Sequence, residues 1–256
     1  MNKKAIIVVS FGTTYPQTRK QNLWATQQAI QTAFPEYQTY NAYTSQVVIN
    51  RVAQQENIQM HTPREVLIQL VQQQVTEVII QPLHIIPGWE FNSLKTLVQE
   101  FKDQFNQLRL GEPLLVKIKD FQRLITFIKD QAAPLAPDEA NLWMGHGSSH
   151  SSFTEYACLD HMLWQTNSFV GAVESYPEIT VELPRMQQQH IARVYLHPLM
   201  MVAGNHAHHD MAAATANSWQ TILEQHQIAV VPVLKGLGQY PEIQAMFIDK
   251  IKALLQ

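Results

Sequence analysis

The sequence predicts an α/β protein made of two similar, doubly wound parallel-sheet lobes. Three observations carry this expectation. Short apolar runs rich in β-branched residues alternate with amphipathic stretches along the 256 residues, and continuous apolar strands separated by helices imply a parallel sheet covered on both faces. A set of motifs recurs in the same order in both halves of the chain. Each copy falls at the end of a predicted strand, where a doubly wound sheet binds its ligands.

Taken in order, "KAIIVVSF" (4–11) reads as the first strand and 17–33 as a helix, followed by "TYNAYT" (39–44) as a strand and a helix over 64–74. "EVIIQPLHII" (77–86) is the next strand. A helix over 92–107 leads to a strand at "PLLVKI" (113–118) and a further helix over 120–131. "APLAPDEAN" (133–141) then interrupts the pattern with two prolines and small residues, which marks a linker. The expected division is therefore a first lobe over 1–132 and a second over 138–240.

Composition narrows the function classes. Charged residues make up 15% of the chain and the formal net charge is −3, so no global field draws nucleic acid or an anionic membrane. An anionic ligand has to be held locally. Cys158 is the only cysteine, which excludes an intrachain disulfide and a cysteine-rich zinc or iron–sulfur site and leaves metal chemistry to His, Asp and Glu. The N-terminal "MNKKAIIVVSFGTTY" lacks the longer apolar region and cleavage site of a signal peptide. No stretch approaches the roughly 18 consecutive apolar residues of a membrane helix. The reading is a soluble, cytoplasmic protein.

The repeats are the most informative feature. "QPLHIIPGWE" (81–90) aligns without gaps to "HPLMMVAGNH" (197–206) at a spacing of 116, setting Glu90 against His206. "SFGTT" (10–14) matches "GHGSS" (145–149) at 135, setting Phe11 against His146. A weaker pair, "YNAYTS" (40–45) and "VGAVES" (170–175), is spaced by 130. If the halves face each other, Glu90, His146 and His206 converge on one interdomain cleft, the default place for a ligand. Two imidazoles and a carboxylate suit a divalent first-row metal, and the same groups accept protons near neutral pH.

These residues also carry a family resemblance. "VVSFGTTY", "LHIIPGWEF", "MGHGSSHSSFTEYACLDHML", "VGAVESYPE" and "PLMMVAGNHAHHDMA" together resemble the anaerobic sirohydrochlorin cobaltochelatase family of the class II chelatases, in order over nearly the whole chain. The resemblance implies two α/β lobes around a central tetrapyrrole cleft, with the C-terminal helix, about 241–256, packing back on the first lobe. It implies a lyase that inserts Co(II) into sirohydrochlorin on the anaerobic route to cobalamin. Carried over by position, its metal-site residues fall on His146, Glu90 and His206, with His146 and Glu90 catalytic. No dedicated cofactor is implied, since cobalt is itself a substrate. Fe(II) or Ni(II) insertion, and a non-catalytic tetrapyrrole or metal binder, stay open as alternatives, as does a homo-oligomer.

Sirohydrochlorin is a polycarboxylate, which asks for backbone N–H groups and hydroxyls after the strands. Ser10, Thr13 and Ser148 are the residues expected to bind it, with helix capping as the competing role. Around His206, the neighbours His208, His209 and Asp210 read as a solvated helix surface, and the alternative for His209 and Asp210 is to orient the His206 imidazole. His197 and His84 read as core. His150 and Glu174 are left between a site role and a structural one, whereas Cys158 and His161, at i, i+3 on a predicted helix, read as a buried thiol and its neighbour rather than a metal-binding pair.

Overall fold

The computed structural model describes residues 3–132 and 134–256, so Ala133, the first residue of the expected linker, lies outside the described residues. The chain packs as two compact units, residues 1–116 with 238–256 and residues 117–237. Each contains a four-stranded, wholly parallel sheet.

In the first unit the strands are β1 (Lys4–Ser10), β2 (Gln38–Tyr43), β3 (Glu77–Pro82) and β4 (Gln107–Leu110), in the order β2-β1-β3-β4. The central strands are buried on both faces, which is why "AIIVV" and "VII" are continuous apolar runs rather than alternating ones. Helices α1 (Ala25–Ala33), α2 (Gln46–Glu56), α3 (Pro63–Gln72) and α4 (Trp89–Phe101) cover the sheet. Val66, Leu67 and Leu70 of α3 and Leu94 and Leu97 of α4 close one core with Ala5, Ile7, Val9, Val78 and Ile80. Thr62 opens α3 with a full capping box through Glu65.

The second unit repeats the plan. Helix α5 (Ile118–Ala132) precedes β5 (Glu139–Gly145), and α6 (Thr154–Met162), β6 (Ser168–Ala172), α7 (Ile179–Gln188), β7 (Arg193–Pro198), α8 (Trp219–Gln225) and β8 (Ala229–Pro232) follow. The sheet order is β6-β5-β7-β8. Helix α9 (Pro241–Leu255) packs on α1 and β3 of the first unit. Among the described residues, no helix is long and apolar enough to cross a membrane.

The repeats hold at the level of hydrogen-bond register. Val9 pairs with Pro82 and Met144 with Pro198, and Leu83 N donates to Val9 O as Leu199 N donates to Met144 O, both at 2.7 Å. The spacings of 135 and 116 therefore describe equivalent strand positions. The third repeat is one residue off its expected spacing. Ser10 pairs with Tyr43 and Gly145 with Ala172, and Ser45 N meets Phe11 O as Glu174 N meets His146 O, so Ser45, not Thr44, corresponds to Glu174.

Three expected boundaries differ in the structure. The division after residue 132 moves to 116, because the amphipathic α5 buries its apolar face on the second sheet, where Phe127 meets Trp143 edge-on at 5.7 Å. The strand expected at 77–86 ends at Pro82. The strand expected at 113–118 is instead a loop that ends where α5 begins at Ile118, and the fourth strand of the first unit lies at 107–110, starting on the last residue of the expected helix 92–107. "PLLVKI" is apolar because Leu114 and Leu115 are fully buried, with their N–H groups given to His84 O and Ile85 O. Burial with irregular hydrogen bonding leaves the same apolar signature as a strand.

Candidate metal centre

The last residue of β5, Gly145, is a glycine because a side chain there would collide with the Tyr156 ring at 2.4 Å. His146 is the next residue. Gly147 follows with φ +91°, and a Cβ on it would stand 2.8–2.9 Å from the backbone nitrogens of Ser175 and Glu174. That conformation and approach suit glycine alone. The contact lets pairing continue past the strand ends, with Val173 N donating to Gly145 O (3.0 Å) and Glu174 N to His146 O (2.9 Å). Ser148 N is tied to Ser175 Oγ at 3.2 Å. Glu174 is thereby set beside His146, with 3.7 Å between Oε2 and Nδ1.

His206 arrives from β7. The chain leaves Pro198, crosses 199–205, and enters a π turn at Ala207–Met211. Ala207 and Met211 are fully buried in the core of the second unit with Leu196, Trp219 and Leu223. They pin the turn from both ends. The His206 ring then stands edge-on to His146 with centroids 4.4 Å apart and planes at 81°. One donor atom from each of His146, Glu174 and His206 lies within 4.8 Å of the others. An ion about 2.1 Å from each donor spaces neighbouring donors by about 3 Å, so side-chain rotations of an ångström or two complete a three-point site.

The contacts on Nδ1 decide which nitrogen of each ring is left for an ion. Nδ1 of His146 lies 3.1 Å from Gly147 O and near the Glu174 carboxylate, and Nδ1 of His206 lies 2.6 Å from Asp210 Oδ2. All these neighbours are acceptors, which favours the tautomer with the proton on Nδ1 and the free lone pair on Nε2 in each ring. Both imidazoles are part-exposed, open to an incoming ion. Asp210, expected on a solvated surface, is thus bonded to His206.

The remaining expected residues are placed as follows. Glu90 is in the first unit, exposed in the first turn of α4. It borders a groove of about 340 Å³ with Phe11, Thr44, Arg64, Ser93 and Glu100. Ser10, the last residue of β1, and Thr13, three residues on, are buried, and Thr13 Oγ1 accepts from Tyr15 N at 3.2 Å. Ser148 Oγ accepts from His150 N at 3.0 Å. The His150 ring caps the following 3₁₀ turn, accepting from Ser152 N at 3.1 Å. His209 is exposed and His208 half-buried. Cys158 is exposed rather than the buried thiol expected, with its sulfur 3.9 Å from Met162 Sδ.

The two histidines read as core are buried polar groups. His197 stacks on Trp143 with centroids 4.4 Å apart and shares its Nε2 with Asn141 Oδ1 at 3.1 Å. Burial lowers its pKa to about 4, and the Lys235 charge acts the same way. Both ring nitrogens of His84 are shut off from water with no hydrogen-bond partner among the described residues, although the residue keeps some exposed surface. Burial takes its pKa to about 4 against the opposing charge of Glu90.

Glu174 was legible only as an open alternative. Its signal was the weakest of the three repeats, which placed it after a strand in the same half as both histidines. The sequence as a whole decides the family, since residues 4–256 match the family model described as cobalt chelatase (CbiK). The chain belongs to this family. It is 39% identical to the sirohydrochlorin cobaltochelatase of Salmonella typhimurium over 255 residues, covering 99% of this chain and 97% of that protein. It is 30% identical to the sirohydrochlorin cobaltochelatase CbiKC of Nitratidesulfovibrio vulgaris over 258 residues, 99% and 91% of the two chains. Among solved structures, SirB from Bacillus subtilis with Fe3+ matches with a TM-score of 0.66 at 12% identity, covering 98% of this chain and 94% of that one. CbiX, titled the terminal enzyme for biosynthesis of siroheme in denitrifying bacteria, matches at 0.60 and 20% identity, covering 99% and 100%. At these identities the two structures share the fold of this cobalt chelatase family member.

Proposed function

We infer that the protein is a sirohydrochlorin cobaltochelatase that takes Co(II) on His146, Glu174 and His206 and passes it to the macrocycle. The observation that carries this reading is the cluster itself, two imidazoles and a carboxylate brought together at the carboxyl ends of β5, β6 and β7 in a member of the cobalt chelatase family. Sirohydrochlorin must release two pyrrole N–H protons as the ion enters. Each imidazole that gives up the ion regains a lone pair on Nε2, and that lone pair can take a pyrrole proton. Metal transfer and proton uptake therefore share the same atoms, and the charge in the site changes little as the ion leaves. The His/His/Glu donor set also accepts Fe(II) and Ni(II); the family supports cobalt.

Glu90 enters this reading through the family resemblance, as a metal-site carboxylate that passes protons on to solvent. Ser10, Thr13 and Ser148, with the N–H groups after the strands, are the groups for the substrate carboxylates. Operation in the cytoplasm belongs to the same reading, supported by a single cysteine in the chain.

The test is insertion of Co(II) into sirohydrochlorin, followed by absorbance with the purified protein. The expected result is turnover above the buffer rate, lost by at least a hundredfold in His206→Ala and Glu174→Ala and reduced in Glu90→Gln. Full activity in His206→Ala overturns the assignment. Stoichiometric retention of product without turnover makes the protein a binder instead.

A further inference from the structure

We propose that Asp210 is a positioning residue for metal loading, holding the His206 imidazole in one tautomer and strengthening it as a donor. The inference rests on the reading of His146, Glu174 and His206 as the metal-loading set. Asp210 Oδ2 lies 2.6 Å from His206 Nδ1, a distance typical of a charge-assisted hydrogen bond. The ring is thereby held with Nε2 as its only lone pair. His146 has no carboxylate within hydrogen-bond reach of its Nδ1, which meets the neutral carbonyl of Gly147 at 3.1 Å while Glu174 Oε2 stands off at 3.7 Å. The two imidazoles are therefore unequal donors. A carboxylate behind the ring makes His206 the stronger holder of the ion, whereas His146 is the easier one to detach when the ion moves to the macrocycle.

The backbone places Asp210 for this task. The π turn over Ala207–Met211 carries it four residues beyond His206, and the buried Ala207 and Met211 fix the turn on either side. The pair itself is part-exposed, at 32% and 41% for the two side chains. An exposed side-chain hydrogen bond between residues four apart on a helical turn adds little to stability. The placement thus matters for metal loading and hardly for folding, and this separates a positioning role from a structural one.

The experiment titrates the full-length protein with Co(II) alone, without tetrapyrrole, and records affinity, visible bands and the paramagnetically shifted proton spectrum in H2O and D2O. Wild type is expected to show one shifted, exchangeable N–H signal from each imidazole. Asp210→Ala should lose the His206 signal to rapid solvent exchange and bind Co(II) about 10- to 100-fold more weakly, with its thermal midpoint unchanged. Asp210→Asn, which keeps an acceptor without the charge, should retain the signal and recover part of the affinity. The exposed neighbour His209→Ala should behave as wild type. Wild-type affinity together with both exchangeable signals in Asp210→Ala overturns the proposal. Undiminished Co(II) binding in His206→Ala overturns the metal-loading reading beneath it, so the two failures are distinguishable.

Discussion

Gly147→Ala tests whether the loop contact after β5 builds the metal centre. An alanine at φ +91° places an L side chain in a region that costs roughly 1–2 kcal/mol. Its Cβ would sit 2.8 Å from Ser175 N and Oγ and 2.9 Å from Glu174 N, and two of these atoms are backbone that cannot swing aside. Relief means pushing the 173–175 loop outward, which breaks Ser148 N to Ser175 Oγ and Glu174 N to His146 O. Each lost hydrogen bond costs about 1 kcal/mol. The sum is about 3–4 kcal/mol, a fall in thermal midpoint on the order of 10 °C for a chain of this size. Because the displaced loop carries Glu174, Co(II) affinity should also fall at least tenfold. The repeat supplies a control: Gly12 has φ +95° and would press a Cβ on the Tyr43 ring at 2.6–3.0 Å, so Gly12→Ala should cost comparable stability in the first unit while Co(II) alone still binds. Circular dichroism melts and Co(II) absorbance titrations read both quantities. A Gly147→Ala protein that melts within 2 °C of wild type and binds Co(II) normally refutes the argument.

Other outcomes follow from the buried titratable groups. His197 is lowered from 6.5 to about 4, so the unfolded chain binds the proton first, and stability present above pH 6.5 is lost as pH falls toward 4, by about 3 kcal/mol for this group. His197→Gln, the residue its repeat position carries as Gln81, should flatten that slope in acid denaturation curves. Glu182 has the opposite sign. Its fully buried carboxyl is raised from 4.5 to about 8 by burial and by Asp160, with Arg185 opposing, so its contribution is present below pH 4.5 and lost as pH rises through 8. Glu182→Gln should raise the denaturation midpoint at pH 9 more than at pH 5, and equal shifts at both would contradict the assignment. Removing Arg19, whose buried guanidinium is bonded to Glu56 and to Thr13 O, strands a partner charge. Arg19→Met should destabilise by about 3–5 kcal/mol in chemical denaturation.

The α/β class, the central strands and both histidine positions were legible in the sequence, for one physical reason. Parallel strands buried on both faces must be continuously apolar, and the tight turns after them admit few residues, so "VVSFG", "WMGHG", "QPLHIIPG" and "HPLMMVAG" are constrained locally. The errors lie where local pattern and long-range burial diverge. "PLLVKI" looked like a strand because its leucines are buried by the fold, and helix α5 fell in the wrong unit because amphipathicity does not say which sheet an apolar face will meet.

The candidate site divides in the same way. Its histidines and their strand ends were set by the chain itself, through repeats whose spacing survives as hydrogen-bond register. Only the tertiary structure made Glu174 the carboxylate beside them and decided between the two readings of Asp210, setting it against His206. The corresponding residues of the first unit, Phe11, Ser45 and Glu90, supply a single metal-binding side chain at the same register. Spacing along a sequence fixes which residues stand at strand ends. Which of those donors come within reach of one ion is decided by how the strands pair and by how closely Gly147 lets the β6 loop approach.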